Sequence, residues 1–205
     1  MTGRVLSALL LASTCFAQIA SSIRSVETDR GTLAYTIDGP FAVTEGDIIL
    51  GPAAEIENYR LARERGIRAA APHSLTMIEG ASGAGLWPGA TIYYTMDADV
   101  PNQQFILDGI AHWNTRTSFR IVPRTSEPNY IRFQHINIDA ACNSFVGMIG
   151  GEQVIGITNN CPTGSVIHEL GHAWGLWHEQ QRADRNGFIT GTSLPIDGGT
   201  NRNIF

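Results

Sequence analysis

The chain has 205 residues, of which 14 Lys+Arg stand against 19 Asp+Glu for a formal net charge of -5, and 43% are hydrophobic. This is enough length and apolar content for one domain of moderate size plus a smaller segment. The acidic balance and the lack of any Lys/Arg cluster argue against a nucleic-acid partner or a strongly anionic membrane surface, and no repeat or heptad pattern points to a solenoid or coiled coil.

Met1 to Ala17 reads as a secretory signal peptide. Arg4 supplies a positive start, Val5 to Cys15 is an apolar run too short to span a bilayer, and Cys15-Phe16-Ala17 ends on a small residue suited to cleavage. A buried helix or a short anchor is the alternative reading. Secretion is the expectation, with no membrane attachment once the signal is removed. Cleavage at Ala17 removes Cys15 and leaves Cys142 and Cys161 as an even pair in an oxidising compartment, where a disulfide between them follows more naturally than two free thiols.

Residues from about Gln18 to Gly85 read as a weakly structured leader. Thr32 to Ile37 and Ala42 to Leu50 have the composition of short strands broken by Asp38-Gly39-Pro40, and Glu55 to Arg65 has that of a helix stopping at Gly66. Ala69-Ala70-Ala71-Pro72 and Gly80-Ala81-Ser82-Gly83-Ala84-Gly85 then mark a stretch open to proteases, so the expected division is a signal peptide at 1–17, a pro-segment at 18–80 and a catalytic domain at 81–205.

Beyond Leu86 the pattern tightens. Thr91 to Met96 predicts a strand, Pro101 to Thr115 predicts an amphipathic helix with Phe105, Ile106, Ile110 and Trp113 on one stripe, and Phe119 to Val122 and Tyr130 to Ile136 predict further strands. His112 and His135 read as packing, surface or strand residues rather than ligands. Phe145 to Met148 and Gln153 to Thr158 flank Gly150-Gly151 as expected edge strands, a place where an extended peptide is held by main-chain pairing.

The chemistry concentrates at His168-Glu169-Leu170-Gly171-His172-Ala173-Trp174-Gly175-Leu176-Trp177-His178-Glu179. Positions four apart share one helix face, so His168 and His172 can offer ring nitrogens to one metal ion, with Glu169 leaning to the same side. A catalytic zinc takes three protein ligands and keeps a position for water. The third is expected from His178, because Gly175 reaches left-handed backbone conformations at little cost and lets the chain turn back. HExxH alone also fits an ordinary amphipathic helix with two surface histidines, but Gly175, His178 and Glu179 in register favour one zinc per chain, with Glu169 as general base.

HExxHxxGxxH is the signature of metzincin zinc proteases. From about Leu86 to Phe188 the chain resembles the astacin family of that group, on Leu86-Trp87-Pro88, Val122-Pro123-Arg124-Thr125, Cys142-Asn143-Ser144-Phe145-Val146-Gly147 and the Gln180-Gln181-Arg182-Ala183-Asp184-Arg185 continuation. The resemblance implies an α+β, metzincin-type fold: a twisted mixed sheet with an edge strand over the cleft, plus two helices. It implies a secreted zinc-dependent endopeptidase, made as a zymogen, that hydrolyses peptide bonds of protein or peptide substrates with a zinc-activated water. It further implies a Cys142 to Cys161 disulfide and a Glu179 that seats the new N-terminus after activation. Glu45-Gly46-Asp47 resembles the family's FxGD motif, in which the aspartate takes the water's place on the metal, which would make Asp47 the zymogen ligand. Thr44 stands where that motif has an aromatic, and a solvated turn aspartate is the other reading.

Two departures from the family pattern are visible. Ser118 occupies a position where the family commonly has a cysteine, and after Glu179 only 26 residues follow, without a Met-turn or its tyrosine. The C-terminal subdomain is therefore expected to be largely absent, and a truncated, catalytically impaired zinc-binding remnant is the second reading.

Overall fold

A computed structural model describes residues 23–28, 31–72, 75, 85–137 and 141–178. Among them run β1 (Arg24–Thr28), β2 (Gly31–Asp38), β3 (Phe41–Thr44), β4 (Ile48–Pro52), α1 (Ala53–Glu64), a 3-10 turn (Pro88–Ala90), β5 (Thr91–Met96), α2 (Gln103–Arg116), β6 (Arg120–Pro123), β7 (Tyr130–His135), β8 (Asn143–Ser144), β9 (Glu152–Ile157) and α3 (Thr163–Ala173). The strands form one mixed sheet in the order β1-β2-β3-β4-β8-β9-β7-β5-β6.

The first four strands are an antiparallel meander. Asp38 pairs with Phe41, so Gly39 and Pro40 make a two-residue turn, and Gly39 supplies the positive φ of 56° that such tight hairpins need. α1 then lays Ile56 and Tyr59 over Val26, Tyr35, Ala42 and Leu50, and Gly66 ends it with a φ of 69°. The expectation of a weakly structured leader is therefore corrected for residues 23–28 and 31–72. Each strand is short and unremarkable alone; what orders them is a separate small core that forms only when α1 closes over the meander.

An ion cluster ties that unit together. Glu57 accepts hydrogen bonds from Arg60 and from the buried Tyr35 hydroxyl, and pairs with Arg24 at 2.9 Å. Burial works against its charge, yet the donors Arg60, Tyr35 and Arg24 outweigh burial and hold the carboxyl at about 2 instead of 4.5. A depressed folded-state value gives stability that is present above pH 4.5 and lost as pH falls toward 2. The melting temperature of the wild type should thus exceed that of Glu57→Gln at neutral pH, and the gap should close between pH 4.5 and 2 in a thermal-denaturation series. A gap independent of pH would assign Glu57 a packing role only.

The second half is built around β5, β6, β7 and β9, which run parallel. α2 crosses from β5 to β6 and packs on α3 where Gly109 faces Val166; a Cβ at Gly109 would stand 2.7 Å from Val166 Cγ1, so the close crossing depends on that glycine. The buried stripe of α2 is Ile106, Gly109 and Ile110, with Trp113 half-buried. Phe105, expected on this stripe, is 39% exposed, because it lies a hundred degrees round the helix from Ile106. Among the described residues no helix is long and apolar enough to cross a membrane.

Two findings bear on the site. The expected strand at Phe145 to Met148 is replaced by a two-residue β8 and a bend: Gly147 adopts a φ of 71°, its N–H donates to His172 O, and Met148 N–H donates to Gly85 O. These donors leave the ladder to hold the motif helix and the chain before Leu86 in place. β8 is also no edge here, since Ile48 of β4 lies opposite Ser144 in parallel register and Ser144 N–H donates to Asp47 O at 2.9 Å.

Cys142 and Cys161 form a disulfide with a Cα–Cα distance of 5.9 Å across a separation of 19 residues. It joins the residue before β8 to the second residue before α3, so it braces the two walls of the site. Chain entropy for a loop of this size gives about 3 kcal/mol. The Cys142→Ser, Cys161→Ser double variant should accordingly unfold at lower denaturant by about that amount, and an unchanged midpoint would show the bond to be dispensable.

Candidate metal centre

α3 is held from both sides before it presents anything. Trp87 donates its indole N–H to Ala173 O at 2.7 Å, Trp113 donates to Ile167 O at 3.1 Å, and the Phe119 and Trp174 rings stack with centroids 4.3 Å apart. On the face thus fixed, His168 and His172 lie one turn apart with their Nε2 atoms separated by 2.9 Å.

The helix then ends in a Schellman motif. Gly175 has a φ of 101°, its N–H donates to His172 O, and Leu176 N–H donates to Gly171 O at 3.0 Å. A side chain at that φ would be strained, so the glycine is a condition of the turn. The reversal brings His178 back, with Nε2 at 3.1 Å from His168 Nε2 and 3.2 Å from His172 Nε2.

Asp47 enters from the tip of the β3–β4 hairpin. Thr44 pairs with Ile48, leaving Glu45, Gly46 and Asp47 as the loop, and Thr44 Oγ1 donates to Ala34 O at 2.7 Å. Asp47 Oδ2 is 3.2 Å from His168 Nε2, and Oδ1 is 3.3 Å from His178 Nε2 and 3.9 Å from His172 Nε2. One ligand atom from each of Asp47, His168, His172 and His178 falls within 4.8 Å of every other.

The donor set fits a zinc ion on its own chemistry. His172 Nδ1 lies 2.7 Å from Leu176 O, which only accepts, so Nδ1 carries the proton and a neutral ring turns a lone pair toward the cluster. His178 Nδ1 lies 2.8 Å from Glu45 Oε2 and is placed likewise. Two ring lone pairs 3.2 Å apart, facing a carboxylate, repel unless a positive charge sits among them. Asp47 Oδ1 is buried without a hydrogen bond of good geometry, as an oxygen intended for a metal would be. Tetrahedral ligands at the usual zinc–nitrogen distance stand about 3.3 Å apart, close to the separations found.

The electrostatics agree. Burial raises the Asp47 carboxyl, but the His168 and His178 rings beside it outweigh this and hold it well below the usual range. Burial lowers His178, but Asp47 and Glu45 outweigh it and push the ring up to about 9. Burial pushes His172 down to about 4, keeping it a neutral ligand. Glu169 is 2% exposed, and burial followed by the Asp47 charge drives its carboxyl well up. Its Oε2 makes no hydrogen bond.

Glu179 lies outside the described residues, as do the signal peptide and residues 180–185. His112 and His135 stand apart from the cluster; His135 Nδ1 reaches Asp99 at 4.0 Å. Two participants were not expected from the sequence: Leu176 O behind His172, and Glu45 behind His178. No motif announces a backbone acceptor. Glu45 had a signal, being the residue two before Asp47 in a turn already suspected of reaching the metal.

A family model described as Astacin (Peptidase family M12A) matches residues 81–204, well over half of the chain. The chain belongs to the astacin family. Nematocyst expressed protein 6 of Nematostella vectensis is 40% identical over 110 residues, which are 51% of this chain and 37% of that protein. Tolloid-like protein 1 of Homo sapiens is 37% identical over 109 residues, 51% of this chain and 11% of that one. This astacin thus spans little more than a third of the first relative and about a tenth of the second. Among solved structures, high choriolytic enzyme 1, a hatching enzyme zinc-protease from Oryzias latipes, superposes with a TM-score of 0.44 at 30% identity, covering 53% of each chain. The α+β architecture with a mixed sheet is that of a metzincin-type astacin, and astacins are zinc-dependent, which accords with a three-histidine, one-aspartate cluster sized for one ion.

Proposed function

We propose that this astacin is a secreted zinc endopeptidase made as a latent precursor, with 1–17 as signal peptide, 18–80 as pro-segment and 81–205 as the catalytic portion. One observation carries the latency: the hairpin tip places Asp47 against all three histidine Nε2 atoms while its own backbone is paired to Ser144. Asp47 takes a ligand position that water needs, and β4 takes the main-chain edge that an extended peptide needs. Removing the pro-segment frees both.

His168, His172 and His178 would hold the metal. A bound zinc supplies a Lewis acid that polarises a peptide carbonyl and brings a water's pKa toward about 7. Glu169 accepts the proton of the attacking water and returns it to the leaving amine. Its unpartnered Oε2 leaves it free to do so, and departure of Asp47 removes the neighbouring charge that now raises it. Protein or peptide substrates follow from this chemistry.

The test is limited proteolysis near residue 80 of the zinc-loaded chain, followed by a peptide-hydrolysis assay. Chelator-sensitive cleavage that appears only after processing supports the proposal. Zinc without cleavage after processing would favour the impaired remnant.

A further inference from the structure

We infer that the pro-segment holds the third histidine in place as well as occupying the metal, with Glu45 as the positioning residue. The inference rests on the latch reading above and extends it from the ligand Asp47 to the residue behind a ligand.

A histidine that binds a metal through Nε2 needs its Nδ1–H held by an acceptor, or the ring flips and exchanges tautomers. His172 meets this need from within its own turn, through Leu176 O at 2.7 Å. His178 does so through Glu45 Oε2 at 2.8 Å, a residue 133 positions earlier in the sequence and on the other side of the proposed cleavage site. His178 has the least local support of the three, since it follows the helix end at Gly175 in a segment without regular structure, whereas His168 and His172 sit on α3.

Backbone cost points the same way. Glu45 adopts a φ of 55°, one of three non-glycine residues with positive φ among those described. A long side chain in that region is uncommon and strained, and glycine would make the same turn more easily. Glycine would serve the turn at this position, so the feature that Glu45 adds is its carboxylate, delivered to a His178 that is 7% exposed. Asp47 and Glu45 therefore leave together when the pro-segment leaves. The precursor grips zinc through a supported His178, and processing loosens that ligand at the moment when the water position opens.

Glu45→Gly tests this with little backbone penalty, because glycine accepts the existing φ. Zinc transfer from the unprocessed, full-length chain to a competing chelator is the first readout. Glu45→Gly should lose zinc about 10- to 100-fold more readily than the wild type, the usual effect of removing such a support. Glu45→Gln, which keeps an acceptor oxygen, should stay within a few-fold of the wild type. The second readout is the imidazole Nδ1 proton of His178 by nuclear magnetic resonance in the zinc-loaded chain. It should be protected in the wild type and in Glu45→Gln, and lost to exchange in Glu45→Gly, a signature that a merely structural role would not move. Asp47→Ala separates the two layers of the argument. If it loosens zinc while Glu45→Gly matches the wild type in both readouts, this inference is overturned and the latch stands. If neither variant changes zinc retention, both fall.

Discussion

Glu169→Gln is expected to cut peptide hydrolysis by the processed chain by about 10²- to 10⁴-fold, the range typical of a lost general acid–base, while one zinc stays bound. The two halves of this expectation come from different atoms. The metal set consists of the histidine Nε2 atoms, and no oxygen of Glu169 belongs to the four-residue cluster, so the amide leaves the ligands intact. The proton function depends on a carboxylate whose Oε2 has no competing partner. The amide is neutral and isosteric, and burial and then the Asp47 charge already favour a neutral carboxyl at this place, so the precursor should fold about as well. A processed variant that kept near-wild-type turnover would remove Glu169 from the mechanism. Loss of zinc would instead make it part of the ligand set.

Asp47→Ala is the second large effect, and it acts on the unprocessed chain. Asp47 supplies the carboxylate of the cluster, with oxygens 3.2 Å and 3.3 Å from two histidine Nε2 atoms, in a site where its own side chain is 14% exposed. Losing a contact to a charged group costs about 1.5–3 kcal/mol, equivalent to a rise of about 10- to 100-fold in the share of molecules with an open water position. Hydrolysis by the unprocessed chain should rise by that factor and stop on adding chelator. The rise is bounded because β4 still pairs beside Ser144 and covers the peptide-binding edge. Activity unchanged from the unprocessed wild type would show that β4, and not Asp47, carries the latency.

How much of this was legible in the sequence varies with the range of the interaction that decides each part. The turn at Gly175 could be read because a glycine at a helix end has a local cause, and the Schellman bonds to His172 and Gly171 are all within six residues. The strand at Thr91 to Met96 matched to the residue, since its β-branched and aromatic run is bounded by Asp97 and by the Pro88 turn. Phe105 was misplaced because an apolar residue next to the stripe is indistinguishable from one on it until the partner helix fixes the face. The Phe145 to Met148 stretch has strand composition, but its bend is set by acceptors far along the chain, at His172 and Gly85. The ordered leader and the Glu45 to His178 contact are long-range for the same reason. Spacing of 133 residues leaves no periodic trace.

The central claim is that three imidazoles and the Asp47 carboxylate share one zinc in the precursor. Zinc K-edge X-ray absorption on the unprocessed, zinc-loaded chain measures it most directly. The account predicts a four-coordinate site with three imidazole nitrogens and one oxygen at about 2.0–2.2 Å, with the outer-shell imidazole scattering undiminished in Glu169→Gln. A site with two imidazoles, or one with a sulfur shell at about 2.3 Å, would contradict it.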